Sequence, residues 1–164
     1  MPLPTVRPPA DDAFTKGDDF LIAHDIQAIG EMLRERHNLP VEIEVAYRWK
    51  RKAGKSGDKL ILGKCLKLSG PAKHFGRVDF LVWLAADACR DLKLTQDQYV
   101  NRIYHELLHA GVEYDDDGNA KPIARGHDIE EFSAVARDYG LWNDVQNDFV
   151  ATAVQAPLWP MAWD

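Results

Sequence analysis

The sequence predicts an α+β domain in the order helix, three strands, helix, helix, with a small, mainly antiparallel sheet packed on the helices. Three observations lead there. Apolar residues recur at the helical period from Asp19 to His37 and again from Thr95 to Gly111. Between these stretches lie three runs that read as strands, the first alternating apolar and polar residues through Val41, Ile43, Val45 and Tyr47. The pattern His105-Glu106-Leu107-Leu108-His109 falls inside the second helical stretch.

Residues 1–17 hold four of the nine prolines among polar residues, which predicts a flexible N-terminal arm. The domain is expected over 18–142. Its first helix shows Ile22, Ile26, Ile29 and Leu33 on one face, and Asn38-Leu39-Pro40 ends it. After the first strand comes a loop with Gly54, Ser56 and Gly57. Leu60 to Leu68 reads as the second strand, Ser69 to Gly76 as a loop, and Val78 to Leu84 as a more buried third strand. Thr95, with Gln98 three residues on, has the form of a capping box. The stripe Val100, Ile103, Tyr104, Leu107, Leu108 and Gly111 follows it. Glu113 to Asn119 is a polar turn that lets a second helix fold back on the first. That helix starts near His127, buries Ile129, Phe132, Val135, Ala136 and Tyr139, and stops at Gly140. Residues 143–164 form a tail: Val145, Phe149 and Val154 mark a short helix, and Pro157 to Trp163 is apolar but broken by proline.

The His-Glu-x-x-His pattern carries the chemistry. Residues four apart on a helix stack about 6 Å apart along the axis, so both imidazoles project from one face and can grip one ion. His105 and His109 border the apolar stripe and are expected to be half-buried. Glu106 is rotated to the side of the pair, placed to take a proton from an attacking water without being a ligand. Chance places this pattern in about one chain per hundred of such composition, so context decides. A zinc hydrolase needs a third protein ligand and an open fourth position. His127 is favoured, because a residue at a helix start beside a loop can point across at the first helix; Glu130 and Glu131 compete. Asp128 is a candidate partner of that ligand or a helix cap. Tyr139 is a candidate for stabilising an oxyanion. Asp115 to Asn119 invites a calcium reading, but Gly126 stands at the twelfth loop position where an EF-hand places Glu. His24, His37 and His74 read as surface or core residues.

Composition bounds the rest. The net charge of −6 gives no global case for nucleic acid, but the charge is uneven. From Arg48 to Arg77 there are ten basic residues and one acid, Asp58, and the remainder is acidic. The segment Arg48, Lys50, Arg51, Lys52 and Lys55, with Trp49 interleaved, is a candidate nucleic-acid contact that holds phosphates and stacks a base. Its other readings are a solvated hairpin whose lysines discourage edge pairing and a dock for an acidic substrate. Cys65 and Cys89 lack ligand spacing and read as reduced core or strand cysteines. No stretch is apolar enough to span a membrane, and the N-terminal residues lack the apolar core of a signal peptide, so a cytoplasmic protein is expected.

Tyr104 to Ala110, the acidic Asp-Asp-Gly loop, His127 to Phe132 and Tyr139 to Trp142 together resemble the phage metallopeptidase family. Leu62-Gly63-Lys64 and Val78-Asp79-Phe80 are similar to strands of that family, and the resemblance covers about residues 20–142. More distantly, the chain is similar to SprT-like metalloproteases, some of which act on DNA–protein crosslinks; His127 is followed here by Asp128 where those proteins tend to have glycine. The resemblance implies a phage or prophage origin and a minimal zincin-like fold with substrate along the sheet edge. It also implies one zinc ion per chain on His105, His109 and His127, Glu106 as general base, and a protein or peptide substrate in the host cytoplasm. The alternative is a DNA-associated or host-protein-binding protein with a structural zinc. A zinc amidase is a further possibility that only a substrate panel separates.

Overall fold

The computed structural model describes residues 3–128, 134, 137–138 and 144–155. Two compact units divide the chain, Met1–Arg125 and Gly126–Asp164. In the first, the elements run β1 (Phe20–Ile22), α1 (His24–Arg36), β2 (Val45–Lys50), β3 (Gly54–Ser56), β4 (Lys59–Ile61), β5 (Gly63–Lys67), α2 (Gly70–Gly76), β6 (Phe80–Ala85), α3 (Ala86–Leu92), α4 (Gln96–Leu108), β7 (Ala110–Tyr114) and β8 (Ala120–Ala124). In the second, α5 spans Asp144–Gln155, where the sequence places the short tail helix.

The α+β class and the mainly antiparallel pairing stand, but the sheet is not three-stranded. It has four strands in the order β1-β2-β6-β5, and its central pair, β2 and β6, is parallel. A parallel pair needs a long crossover. Residues 51–79 supply it, and on the way β3 and β4 form a separate hairpin and β5 returns as an antiparallel edge. β6 is buried along nearly its whole length, as its unbroken apolar run dictates for a central strand.

Other boundaries moved for local reasons. Phe20-Leu21-Ile22 pairs with β2, so the first helix starts at His24 rather than Asp19. The alternating residues Val41 and Ile43 precede the ladder, which begins at Val45. Ser69 to Gly76 is helical rather than a loop, with Pro71 in the first turn, where its missing N–H costs nothing. α3 was not expected; it buries Ala86, Ala88 and Cys89. The polar turn after the motif helix is the tip of a β-hairpin, β7–β8, closed by Asp115 accepting from the Asp117 and Asn119 amides. Gly111, counted in the helical stripe, belongs to β7. Of the predicted second helix, Ala134, Arg137 and Asp138 are helical; Ile129, Glu130, Glu131, Phe132, Val135, Ala136, Tyr139 and Gly140 lie outside the described residues, as does the apolar stretch Pro157 to Trp163.

The segment expected as a flexible arm is instead packed on the domain. Val6 and Phe14 are buried. The Val6 main chain donates to and accepts from the Gln96 side-chain amide, the Arg7 amide donates to Asp25, Arg90 donates to the Pro9 carbonyl, and Arg51 pairs with Asp11. Its apolar side chains and its main-chain groups both found partners, which proline content alone does not reveal.

The core lies between the sheet and the helix pair α1 and α4. Ile26, Ile29 and Leu33 of α1 and Val100, Ile103 and Leu107 of α4 are buried, with Tyr47, Trp49, Phe80, Val82 and Leu84 from the sheet. Gly30 lets α1 reach β2: a Cβ there would lie 2.4 Å from the Tyr47 ring. No helix among the described residues is long and apolar enough to cross a membrane.

Candidate metal centre

The site is built at the C-terminal end of α4. Its start is fixed by the capping box: Thr95 Oγ1 accepts from the Gln98 amide at 3.3 Å, and Gln98 Oε1 accepts from the Thr95 amide at 2.9 Å. The helix ends at Leu108, so the motif occupies its last turn, and His109 is the cap residue with its backbone still near helical (φ −73, ψ −20). The i, i+4 relation therefore holds. The two rings sit edge to face with centroids 5.2 Å apart, and both residues are half-buried, as the stripe predicts.

The hairpin orients the second ring. Arg125 donates its amide to the His109 carbonyl at 2.8 Å, continuing the β7–β8 ladder by one pair. The Arg125 carbonyl lies 2.7 Å from His109 Nδ1. A carbonyl only accepts, so Nδ1 carries the proton and the lone pair is on Nε2, the arrangement that metal-binding histidines use. His127 follows two residues later, a tether of about 7 Å at most. One potential ligand atom from each of His105, His109 and His127 lies within 4.8 Å of the others. Tetrahedral zinc with bonds of about 2.0–2.1 Å would bring three nitrogens to about 3.3 Å from one another. His127 is exposed, which leaves an open side. The donor set, three imidazoles, fits zinc.

Glu106 is buried, only 2% exposed, at the foot of this cluster. Gly63 on the edge strand β5 makes room for it: a Cβ there would lie 3.4 Å from Glu106 Oε1, 2.6 Å from Leu84 Cδ2 and 3.0 Å from the Trp83 carbonyl. Arg102, one turn back on α4, brings Nη2 to 2.5 Å from Oε1. That contact is a charge pair; among the described residues Oε1 has no hydrogen-bond partner, and neither has Arg102 Nε. Burial pushes the Glu106 carboxyl above its ordinary range, and the charges of Arg102 and His109 and the Cys65 amide offset only part of that. A buried carboxylate with a raised pKa, next to His105 in the chain and one turn short of His109, is equipped to take and return a proton. Arg102 is the partner of Glu106 that the motif reading passes over; its i, i+4 spacing to Glu106 was the available signal.

The remaining expectations sort plainly. Asp128 is exposed, and Glu130, Glu131 and Tyr139 lie outside the described residues. His37 stacks on Tyr104 at 4.3 Å, and His74 is exposed against Phe75. Both cysteines are free thiols, Cys65 half-buried and Cys89 buried, and burial raises each to about 12, so they stay neutral. The aromatic in the basic segment does not stack bases: Trp49 is 2% exposed and donates to Asp25. Arg48 donates to the Tyr47 carbonyl and Arg51 pairs with Asp11, so part of that positive charge is structural.

A family model described as Putative phage metallopeptidase matches residues 18–153. No curated protein and no solved structure matches.

Proposed function

This chain belongs to the phage metallopeptidase family, and we propose that it is a zinc-dependent endopeptidase of phage or prophage origin acting in the host cytoplasm. The observation that carries the proposal is the convergence of His105, His109 and His127 beside a buried Glu106. The three imidazoles hold the ion, with His109 oriented through its Nδ1 proton by the Arg125 carbonyl. Zinc, when bound, supplies Lewis-acid chemistry: it acidifies water and polarises the scissile carbonyl. Glu106 takes the proton of the attacking water and hands it to the leaving amine. Arg102 opposes the cost of burying that carboxylate and holds it at the site. The antiparallel edge β5, with Gly63 against Glu106, supports the reading that substrate adds along this strand.

The test has two stages. Protein purified without a metal-affinity step is expected to carry about one zinc per chain by mass spectrometry, lost in His109→Ala. Glu106→Gln is then expected to keep its zinc and lose casein turnover. Zinc retained with turnover unaffected by Glu106→Gln would mean that the ion is structural; no zinc in either protein would end the peptidase reading.

A further inference from the structure

The four-stranded sheet has one face against α1 and α4. Tyr47 and Trp49 point there, donating to Glu31 and Asp25 of α1. Alternation puts Arg48 and Lys50 on the opposite face. The register completes that face: Ile22, Arg48, Trp83 and Lys64 form one row across all four strands. Phe20 and Lys50 pair in the parallel row on one side, and Ala46, Leu81 and Leu66 form the row on the other. Trp83 and Ala85 are covered, packed with Ala53 and Ile61 from the β3–β4 region. Phe20, Ile22 and Lys64 remain exposed, and Arg48, Lys50, Leu66 and Leu81 are half-exposed.

The outward residues of these rows include cations and no acid, although exposed Asp18 and Asp19 directly precede Phe20. Lys50 Nζ lies 5.2 Å over the Trp83 ring and donates to the Lys52 carbonyl. The neighbouring hairpin adds exposed Lys52, Lys55 and Lys59, against Asp58 alone at its turn. No ion pair among the described residues involves Lys55, Lys59 or Lys64. Other acids nearby are engaged elsewhere: Asp11 with Arg51, and Asp87 with the amides of Ala53 and Ala88. Residues two apart on a strand are about 7 Å apart and alternate strands about 10 Å, so Arg48 and Lys50 can meet neighbouring phosphates of one flexible strand that runs on past the covered Trp83 to Lys64.

We propose that this outer sheet face binds single-stranded nucleic acid, with Arg48, Lys50 and Lys64 on phosphates and Phe20 and Ile22 beneath bases. A single strand offers both parts, because its bases are free to lie on exposed apolar side chains while its phosphates reach the cations. A duplex hides its bases; an acidic peptide, which can also cover Phe20 and Ile22, is distinguished by the test. Lys64 follows Gly63, which packs against Glu106, but alternation turns it to the opposite face of the sheet, so binding is expected without zinc.

The test is fluorescence anisotropy of the full chain with a fluorescein-labelled oligothymidylate of about 15 nucleotides, across a salt series. Binding is expected at low salt and to weaken steeply as salt rises. The double variant Lys50→Gln/Lys64→Gln is expected to bind about tenfold or more weakly, with a salt slope lower by about two, whereas Lys121→Gln on β8 is unchanged. Lys64→Gln alone, exposed on an edge strand, is expected to lower the slope by about one and keeps the test valid if the double variant misfolds. Four results would each overturn the proposal: no binding at low salt, variants that bind as the parent does, equal binding of the duplex with oligodeoxyadenylate, or displacement by polyglutamate at equal charge, which would point to an acidic protein partner.

Discussion

The first turn of α4 is closed by side-chain hydrogen bonds at the surface, and the last turn buries a carboxylate against a guanidinium. At Thr95 and Gln98, two amides that a helix start leaves without partners are met by side chains three residues apart, at the surface, as local chemistry prefers. At the other end a carboxylate is buried, its Oε1 has no hydrogen bond among the described residues, and the compensating charge of Arg102 comes from one turn away. One helix thus holds a terminus arranged for stability and a terminus that departs from the stabilising pattern. Such departures concentrate where chemistry is done.

The sharpest way to test the contrast is at Glu106. Glu106→Gln removes the proton acceptor while keeping shape; turnover of a casein substrate is expected to fall about 10²–10⁴-fold, with metal content unchanged. An unaltered rate would mean that the buried carboxylate is structural, and the two ends would no longer differ in kind. His109→Ala acts on the same turn through the ion. Zinc at a thousandfold excess over Kd is expected to stabilise the parent protein by about 4 kcal/mol, read as a rise in Tm. In His109→Ala that rise should vanish.

Gly63→Ala sharpens the contrast from the sheet side. The new methyl meets Leu84, the Trp83 carbonyl and Glu106 together, so a cost of about 1–3 kcal/mol is expected in denaturant unfolding, with turnover reduced as Glu106 is displaced. At the well-formed end, Thr95→Ala is expected to cost about 1 kcal/mol and to leave kcat unchanged, because it loosens a cap far from the motif. A change in kcat there would show that the two ends are coupled.

The smallest effect concerns a carboxylate treated the opposite way from Glu106. Asp79 loses some hydration to burial, but the Glu44 amide and Lys73 Nζ, each 2.9 Å away, more than compensate and hold its pKa below the ordinary 3.8. A depressed folded pKa means that the stabilisation is present above the unfolded value and is lost as pH falls through the folded one. Asp79→Asn is therefore expected to lower Tm slightly near neutral pH and to converge with the parent below pH 3.8. A gap that persists in acid would mean that Asp79 acts by packing rather than by charge.

Much of the site was legible in the residues. The His105–Glu106–His109 spacing needs only helical geometry, and Thr95 with Gln98 announced where that helix begins. His127 was legible as a candidate third ligand. It was expected at the start of a helix folded back across the first; the β7–β8 hairpin returns the chain to His109 through Arg125, and the residues just after Asp128 lie outside the described ones. Alternation in residues 110–124 was obscured because Gly111 also fitted the helical stripe, and a short polar stretch satisfies both periods.

The sequence by itself determined what is local: the motif turn, the cap, the half-burial of two histidines at the edge of an apolar stripe, and the positive charge of residues 48–77. Those properties depend on neighbours within a few residues. The tertiary structure decided what depends on distant partners. It made β2 and β6 parallel, packed the proline-rich segment onto Gln96 and Asp25, opened room for Glu106 with Gly63, and turned Trp49 into the core while leaving Arg48 and Lys50 outward. Periodicity tells which side chains share a face of one element. Which surface that face meets is settled only when the other strands and helices arrive.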